Sequence, residues 1–433
     1  MSNRVVKNAG WIIGCKIVQS LINFVIGILT ARYLGPSNYG IINYVASVVA
    51  FVIPIMQLGL RHTLVREFIK APEQEGRILG TSLVLNLISG FACVIGSVSF
   101  VALVDAGERE TLLVCVLYSL SIVFQATDMI QYWFQAKLLS KYPSLAALGA
   151  YVVVALYKVY LLVTQKSVVW FAFSHALDFM LISAALMVIY RKLGGQRLSF
   201  DRHLARQLLS RSKHYIIPGL MVMVFQHTDR IMIKLMLGEA ETGIYSAAIT
   251  CIGITGFVYA AVIDSARPAI LTAKETNREL YRKRVVQLYS LITYMALAQS
   301  VAMTVLAKPI VLILFGEEFA GAAGILCVAV WYVTFSELGS VRNIWILAEQ
   351  KQKYLLGINV TGALANVILN LCLIPVWGAV GAAVASIVTQ FFTNVIVGFV
   401  FKPLRPNNQL LVKGLNPKNT VDMIKEFLPN RKR

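Results

Sequence analysis

Long apolar runs separated by short polar segments make up most of the chain. Spanning the hydrocarbon core of a membrane, about 30 Å thick, takes roughly 20 residues of α-helix, and each run reaches that length. The pattern therefore predicts twelve transmembrane helices, which we number as spans one to twelve: 11–31, 39–60, 78–104, 112–136, 142–164, 168–190, 215–237, 243–266, 285–307, 321–347, 354–374 and 378–401.

Composition supports the same fold class. The 433 residues are 58% hydrophobic and only 14% charged, and the mean hydropathy is +0.70. A soluble globular protein carries roughly 25% charged residues, so a soluble fold is excluded. We predict an all-α polytopic membrane protein. The six cysteines all fall within apolar spans and none forms a Cys-x-x-Cys pair, so we interpret them as small buried hydrophobes.

An internal repeat divides the spans into two groups of six. The turn LGPSNYG at 34–40 and the turn LGEAETG at 237–243 share the frame Leu-Gly-x4-Gly. Because both groups hold six spans, we expect them to share an orientation, related by an axis along the membrane normal. The predicted domains are an N-terminal lobe at 1–190, a basic cytoplasmic linker at 191–214, a C-terminal lobe at 215–402 and a basic cytoplasmic tail at 403–433.

The tail contains one further pattern. Val421, Ile424 and Leu428 recur at helical spacing beside Lys425 and Arg431. Apolar and basic residues on opposite sides of a helix favour a position on the membrane surface. We therefore predict a short surface helix at this point.

The net charge is +19, and the basic residues are distributed unevenly between the two sides of the predicted membrane topology. Lys and Arg are concentrated at the N-terminus, in the even-numbered loops and in the tail, whereas the odd-numbered loops hold only four: Arg32, Arg109, Lys166 and Lys308. This asymmetry is the positive-inside pattern and predicts that both termini are cytoplasmic. Basic loops that face anionic lipid account for the charge, so we expect no nucleic-acid partner.

Polar residues inside the spans indicate a binding site. Such groups are costly in hydrocarbon and normally face a partner helix or a wet cavity. Spans one, two, seven and eight each carry them on one helical face, and we expect the four faces to line a shared, mainly cationic cavity. The candidate cavity residues are Lys16, Asn23, Asn43, Gln57, Arg61, Gln226, Asp229, Arg230, Lys234 and Asp264.

Simpler interpretations of these residues stay open. Lys16 and Lys234 lie near span ends, where a long side chain can reach the membrane interface. Arg61 and Asp264 lie at cytoplasmic ends and could belong to loops. Asp229 could neutralise a neighbouring cation instead of binding an ion. Arg230 is about two turns in from the external end of span seven, which makes a purely interfacial role less favourable.

Motifs for other kinds of chemistry are missing from the sequence. The chain has no Walker loop Gly-x4-Gly-Lys-Ser/Thr and no His-Glu-x-x-His, so neither an ATP-hydrolysing motor nor a zinc protease site is indicated. No polar loop is long enough to form a catalytic domain. We therefore expect no enzymatic activity, no metal site and no cofactor, while a coupling ion, Na⁺ or H⁺, stays undetermined.

Several segments resemble one family of membrane proteins. TARYLGPSNYG at 30–40, Asp229-Arg230 ahead of LG at 237–238, GIY at 243–245, NVILN at 366–370 and GAVGAA at 378–383 are together similar to polysaccharide-unit flippases. These flippases belong to the multidrug/oligosaccharidyl-lipid/polysaccharide (MOP) exporter superfamily. Each piece alone is weak, whereas the combination covers both halves of the chain.

The resemblance implies a fold and a function. It implies two six-helix lobes arranged as a V, with spans one, two, seven and eight lining the cleft. The implied substrate is a glycan unit joined by diphosphate to a polyprenyl lipid and moved from the cytoplasmic to the outer leaflet of the plasma (inner) membrane. The resemblance assigns no residues to this substrate; from the polar faces of the spans, Arg230, with Lys16 and Arg61, would hold the diphosphate, since a guanidinium can bind it through two hydrogen bonds. A polysaccharide polymerase and glycosyltransferases are the implied protein partners.

Two other functions stay open from the sequence. One is an ion-coupled drug or cation antiporter of the same superfamily, which would need an acidic cavity. The other is a non-transporting membrane partner of glycan assembly. Lipid II flippases have fourteen spans, so a twelve-span chain disfavours that branch.

Overall fold

The chain is helical along the part that the structure describes. In this computed structural model the backbone is described for residues 2–420 and the side chains for residues 14–420, so the predicted tail helix lies outside the described residues. No strand occurs between residues 2 and 420. The first nine helices are α1 (Ser2–Met56), α2 (Leu64–Lys70), α3 (Glu75–Val104), α4 (Arg109–Gln125), α5 (Ile130–Ala136), α6 (Lys141–Val163), α7 (Val168–Lys192), α8 (Arg202–Ser212) and α9 (Ile216–Leu237).

The second half is built in the same way. Its helices are α10 (Glu239–Gly253), α11 (Gly256–Thr276), α12 (Arg278–Val305), α13 (Ala307–Phe315), α14 (Ala322–Ala329), α15 (Tyr332–Ala348), α16 (Leu355–Phe391), α17 (Val397–Val400) and α18 (Arg405–Gly414). A π-helical turn joins α16 to α17 at Phe392–Ile396.

Nine helical segments of the described chain are long and apolar enough to cross a membrane. Two of them, Gly14–Met56 and Gln352–Val400, have 43 and 49 residues. At 1.5 Å per residue each is about twice as long as one crossing needs, and each is broken at a glycine with non-helical backbone, Gly35 or Gly378. Dividing both at these glycines gives eleven crossings, and α9 carries the seventh predicted span. The all-α polytopic fold class is therefore confirmed.

The repeated turn has a repeated backbone conformation. Gly35 has φ 69° and ψ 174°, and its counterpart Gly238 has φ 94° and ψ −175°. This combination of positive φ and extended ψ is essentially restricted to glycine, because a Cβ atom would clash with the backbone. The sequence frame thus corresponds to the same sharp change of direction in both halves.

Two compact units are present, Met1–Lys234 and Leu235–Arg433. In the first unit α4 packs against α7, and α1 packs against α3, α4 and α6. Its core consists of two apolar clusters, one that includes Tyr44 and Phe171 and one that includes Trp133 and Tyr190. The boundary between the two units lies within α9, directly after Lys234. The predicted linker between the lobes is 191–214. The lobe boundary stays a prediction.

The predicted linker is docked onto α3. Backbone N–H of Gly76 donates to Gln196 Oε1 at 2.9 Å, and the N–H of Asp201 donates to Thr81 Oγ1 at 3.0 Å. The N–H of Ser199 donates to the carbonyl of Gly76 at 3.3 Å. These contacts fix the start of α8, and hence the path of the chain into α9, against the first unit.

In the second unit, α18 packs against α12. α12 packs against α11, α15 and α18. Tyr289 donates to Asn407 Oδ1 at 2.8 Å, and Asn408 donates to the carbonyl of Val395 at 2.7 Å. In the same unit Arg342, which is buried, donates to the carbonyl of Thr393 in the π-helical turn at 2.7 Å. Buried amide groups thus attach α18 to α12 and to the π-helical turn. A buried guanidinium group attaches α15 to the same turn.

The capping carboxylate of α8 gives a pH-dependent contribution to stability. The backbone N–H groups of Leu204 and His203, with the charge of Arg77, lower the pKa of Asp201 below its usual range. A lowered folded-state pKa stabilises the fold at neutral pH, and this stabilisation is lost as the pH falls through that pKa. We expect Asp201→Asn, which can cap without titrating, to reduce the loss of thermal stability between pH 7 and about pH 3.

Thermal unfolding at several pH values would measure this. Asp201→Ala should be less stable than the wild type at pH 7, because it also loses the cap. An identical pH dependence in wild type and Asp201→Asn would contradict the assignment.

Candidate functional site

The polar face of α9 meets the second half of α1 within the first unit. His227 Nδ1 lies 3.3 Å from Ser47 Oγ, and Ser47 in turn donates to the carbonyl of Asn43 at 2.8 Å. The two α1 residues are four positions apart and therefore share a helical face. Two turns further along α9, Lys234 Nζ lies 5.0 Å from the centre of the Tyr44 ring. The predicted faces of spans two and seven are thus brought together.

Lys234 is enclosed by two carboxylates at the turn between α3 and α4. Its ammonium pairs with Asp105 and lies 2.8 Å from Glu108 Oε2. Tyr44 donates to the second oxygen of Asp105 at 2.7 Å, and Thr111 donates to Glu108 Oε2 at 2.9 Å. The side chains of Lys234 and Asp105 are only 4% and 3% exposed, whereas Glu108 is 43% exposed. Lys234 is therefore buried in an ion pair with the turn between α3 and α4.

Arg230 occupies the turn of α9 before Lys234. It is half-buried, and its positive charge acts on Tyr118 of α4 and on His227 of its own helix. The Tyr118 ring stacks on His175 of α7 with centroids 4.1 Å apart. Asp229 beside it is buried, and both residues make further polar contacts. The positive charge of Arg230 thus acts on half-buried groups of α4 and α9 within the first unit.

The remaining candidates differ in their exposure and in their partners. Lys16 and Asn23 are exposed on the first half of α1, and Gln226 is exposed on α9. Asn43 donates to the carbonyl of Tyr39 at 2.8 Å within its own helix, and Gln57 is half-buried near the end of α1. In the second unit the exposed Asp264 pairs with Arg267 at 3.0 Å, one turn along α11.

Arg61 lies in the short turn that follows α1. It is exposed, and its neighbour His62 stacks on Tyr215 with ring centroids 4.7 Å apart. Burial lowers the pKa of His62, and the positive charge of Arg61 lowers it further. A neutral imidazole is thus favoured where α1 meets the start of α9.

Several residues of the site were not predicted from the sequence. Tyr44, Asp105 and Glu108 contact Lys234 on the predicted face of α9, and His227 of α9 contacts Ser47, yet none of these four residues was among the candidates. One signal was present in the turn at 105–110, where three acidic residues occur in a loop predicted to be external. Asp105 and Glu108 offset the positive charge of Lys234. The net positive charge expected along α9 is therefore smaller at its C-terminal end.

No group of three His, Cys, Asp or Glu side chains suited to a metal ion occurs among the described residues. Between Gly14 and Thr420 the chemistry around α9 is therefore that of guanidinium, ammonium, carboxylate, imidazole and hydroxyl groups. Guanidinium and ammonium groups bind oxyanions, and the guanidinium fork suits phosphate geometry best. The site can bind an anion or exchange one anionic partner for another.

Comparison with known proteins identifies the family. The sequence profile of the family described as polysaccharide biosynthesis protein matches residues 5–273, more than half of the chain. The protein belongs to this family. No curated protein matches the sequence. The resemblance stated from the sequence motifs is confirmed.

Solved structures show that this family member has the fold of MOP-superfamily transporters. The lipid II flippase MurJ in an inward closed conformation has a TM-score of 0.72 and 13% identity over 96% of this chain and 93% of that chain. An inward-facing multidrug resistance MATE transporter has a TM-score of 0.71 and 16% identity over 91% and 96%. A MOP transporter from Pyrococcus furiosus has a TM-score of 0.57 and 13% identity over 94% and 96%. At these identities the likeness concerns the fold alone.

Proposed function

We propose that the protein is a flippase that moves polyprenyl-diphosphate-linked oligosaccharide units from the cytoplasmic to the outer leaflet. The observation that carries the proposal is Arg230, a half-buried guanidinium on the polar face of α9 in a member of a polysaccharide biosynthesis family. The similarity in fold to a protein named as a lipid II flippase supports a lipid-linked substrate.

The physical reason is the cost of moving a diphosphate through hydrocarbon. Transferring an isolated ion from water to a medium of low dielectric costs on the order of 20 kcal/mol in the idealised case. A guanidinium can offset much of this cost, because it binds phosphate oxygens through two parallel charged hydrogen bonds. In this proposal Arg230 binds the diphosphate while the polyprenyl tail stays among the lipid chains.

The transport cycle follows from the proposed lobes. Polar faces of spans one, two, seven and eight would line the path, with Lys16 and Arg61 as further cationic contacts. Rocking of the lobes would open this path to one leaflet at a time. We place the protein in the plasma (inner) membrane with both termini cytoplasmic, where glycosyltransferases would supply the substrate and a polymerase would receive it. This function requires no catalytic residue and no cofactor; whether Na⁺ or H⁺ drives it stays open.

The test is complementation of cells that lack their own repeat-unit flippase. We expect the wild-type gene to restore the surface glycan, measured by immunoblotting of exported polysaccharide. A parallel assay would measure uptake of an organic cation into liposomes that contain the purified protein. Uptake without complementation would favour an antiporter, and neither activity would favour a non-transporting partner of glycan assembly.

A further inference from the structure

The contacts of Lys234 point to a step beyond substrate binding. Lys234 and Arg230 are four residues apart and lie on the same face of α9. Any anion that Arg230 binds can therefore also reach the ammonium of Lys234, provided that this ammonium is free. In the structure it is not free, because Asp105 and Glu108 both bind it.

The two carboxylates resemble a diphosphate in charge and arrangement. Glu108 presents both oxygens to the ammonium, at 2.8 and 3.0 Å, and Asp105 presents a third. Tyr44 and Thr111 hold the carboxylates through hydroxyl hydrogen bonds. Three anionic oxygens thus contact one cation, as the oxygens of a diphosphate could.

The balance of charge makes this arrangement exchangeable. Two carboxylates around one ammonium leave a net charge of −1, and Glu108 remains 43% exposed. Because that carboxylate can return to water, it gives up its contact with Lys234 at low cost. Asp105 is buried and held by Tyr44, so it stays in place. Glu108 is therefore the more readily exchanged partner of Lys234, and Asp105 is the retained one.

We infer that Asp105 and Glu108 form a carboxylate clamp that competes with the substrate diphosphate for Lys234 and thereby promotes release. The inference rests on the proposed function and adds residues that act against binding. When the clamp opens, Lys234 joins Arg230 in binding the diphosphate. When the clamp closes, the diphosphate loses one of its cations and is bound only through Arg230. The distribution of Lys and Arg among the loops predicts that this exchange takes place at the external end of span seven, where release would occur.

Binding of farnesyl diphosphate, a short-chain diphosphate probe, to the purified full-length protein tests the inference. We expect Asp105→Asn/Glu108→Gln to bind the probe at least fivefold more tightly than the wild type, because Lys234 is then available. Glu108→Gln alone should show part of this gain, and its exposure makes misfolding a minor concern. Glu110→Gln is the matched control, since Glu110 is exposed on the same turn and its loss should leave affinity unchanged.

A Lys234→Met/Asp105→Asn background, in which no buried charge is left unpaired, separates competition from simple repulsion. There Glu108→Gln should bring no gain, because the cation for which it competes has been removed. A gain of equal size without Lys234 would overturn the clamp, as would unchanged or weaker binding in the Asp105→Asn/Glu108→Gln protein.

Failure of the clamp can be told apart from failure of the proposed function. If the wild type binds farnesyl diphosphate and Arg230→Ala weakens that binding, the substrate class stands whatever the carboxylate variants do. If neither the wild type nor any clamp variant binds the probe, the proposed function itself is contradicted.

Discussion

Cells that depend on the Arg230→Ala variant should export almost no surface glycan. Two charged hydrogen bonds to the diphosphate contribute about 1.5 kcal/mol each at the low end, so their loss weakens binding by roughly a hundredfold. Arg230→Lys should retain an intermediate level, because an ammonium keeps the charge but lacks the fork of parallel donors. Immunoblots of exported polysaccharide, normalised to the amount of protein in the membrane, give the measurement.

Two further variants make this experiment specific. Lys192→Ala removes an exposed positive charge from the last turn of α7, far along the chain from the site, and should export normally. Lys16→Ala tests the exposed cation on the first half of α1 and should cause a smaller loss than Arg230→Ala. Full export by both Arg230→Ala and Lys16→Ala, at normal expression, would rule out diphosphate binding by these cations.

Replacing Lys234 by methionine should destabilise the protein more than most single substitutions. The change leaves Asp105 ionised, 3% exposed and without its cation. Removing one partner of a buried ion pair typically costs about 3–5 kcal/mol, because the remaining charge is uncompensated. The melting temperature of the purified protein in detergent, measured from the change in tryptophan fluorescence on heating, would show the effect.

The double substitution provides the control for this prediction. In Lys234→Met/Asp105→Asn no buried charge is left unpaired, and the new amide can still accept the hydrogen bond from Tyr44. We therefore expect the double variant to recover most of the lost stability. A double variant as unstable as Lys234→Met would show that packing around Lys234, and not the charge of Asp105, determines the loss.

The crossing helices could be predicted because they depend on length and hydropathy alone. A run of about 20 apolar residues has few alternatives to a membrane helix, since its backbone groups must be satisfied within the segment. Breaks inside such runs are less visible. Predicted span ten consists of α14 and α15, separated at Val330–Trp331. α13 lies in a stretch predicted as the end of span nine and the loop after it. A hydropathy profile does not show where the backbone hydrogen bond between residues i and i−4 of a helix is lost.

The site could be predicted only in part, for a different reason. Periodicity along α9 and α1 indicates which residues share a face, and the contact of His227 with Ser47 agrees with that face. Periodicity contains no information about residues that approach from another element. Asp105 and Glu108 are 129 and 126 positions away from Lys234, and their pairing depends on how α3 and α4 are placed beside α9.

Gly35 and Gly238 have a consequence for how sequence variation in this family is interpreted. Their backbone conformation strongly disfavours any residue with a side chain, although neither glycine has a side-chain group that could bind a substrate. In an alignment of homologues we expect both columns to be as invariant as those of any ligand-binding residue. A search for functional positions by invariance alone would therefore select these two turns, whereas the residues that distinguish one glycan from another should lie in the variable columns.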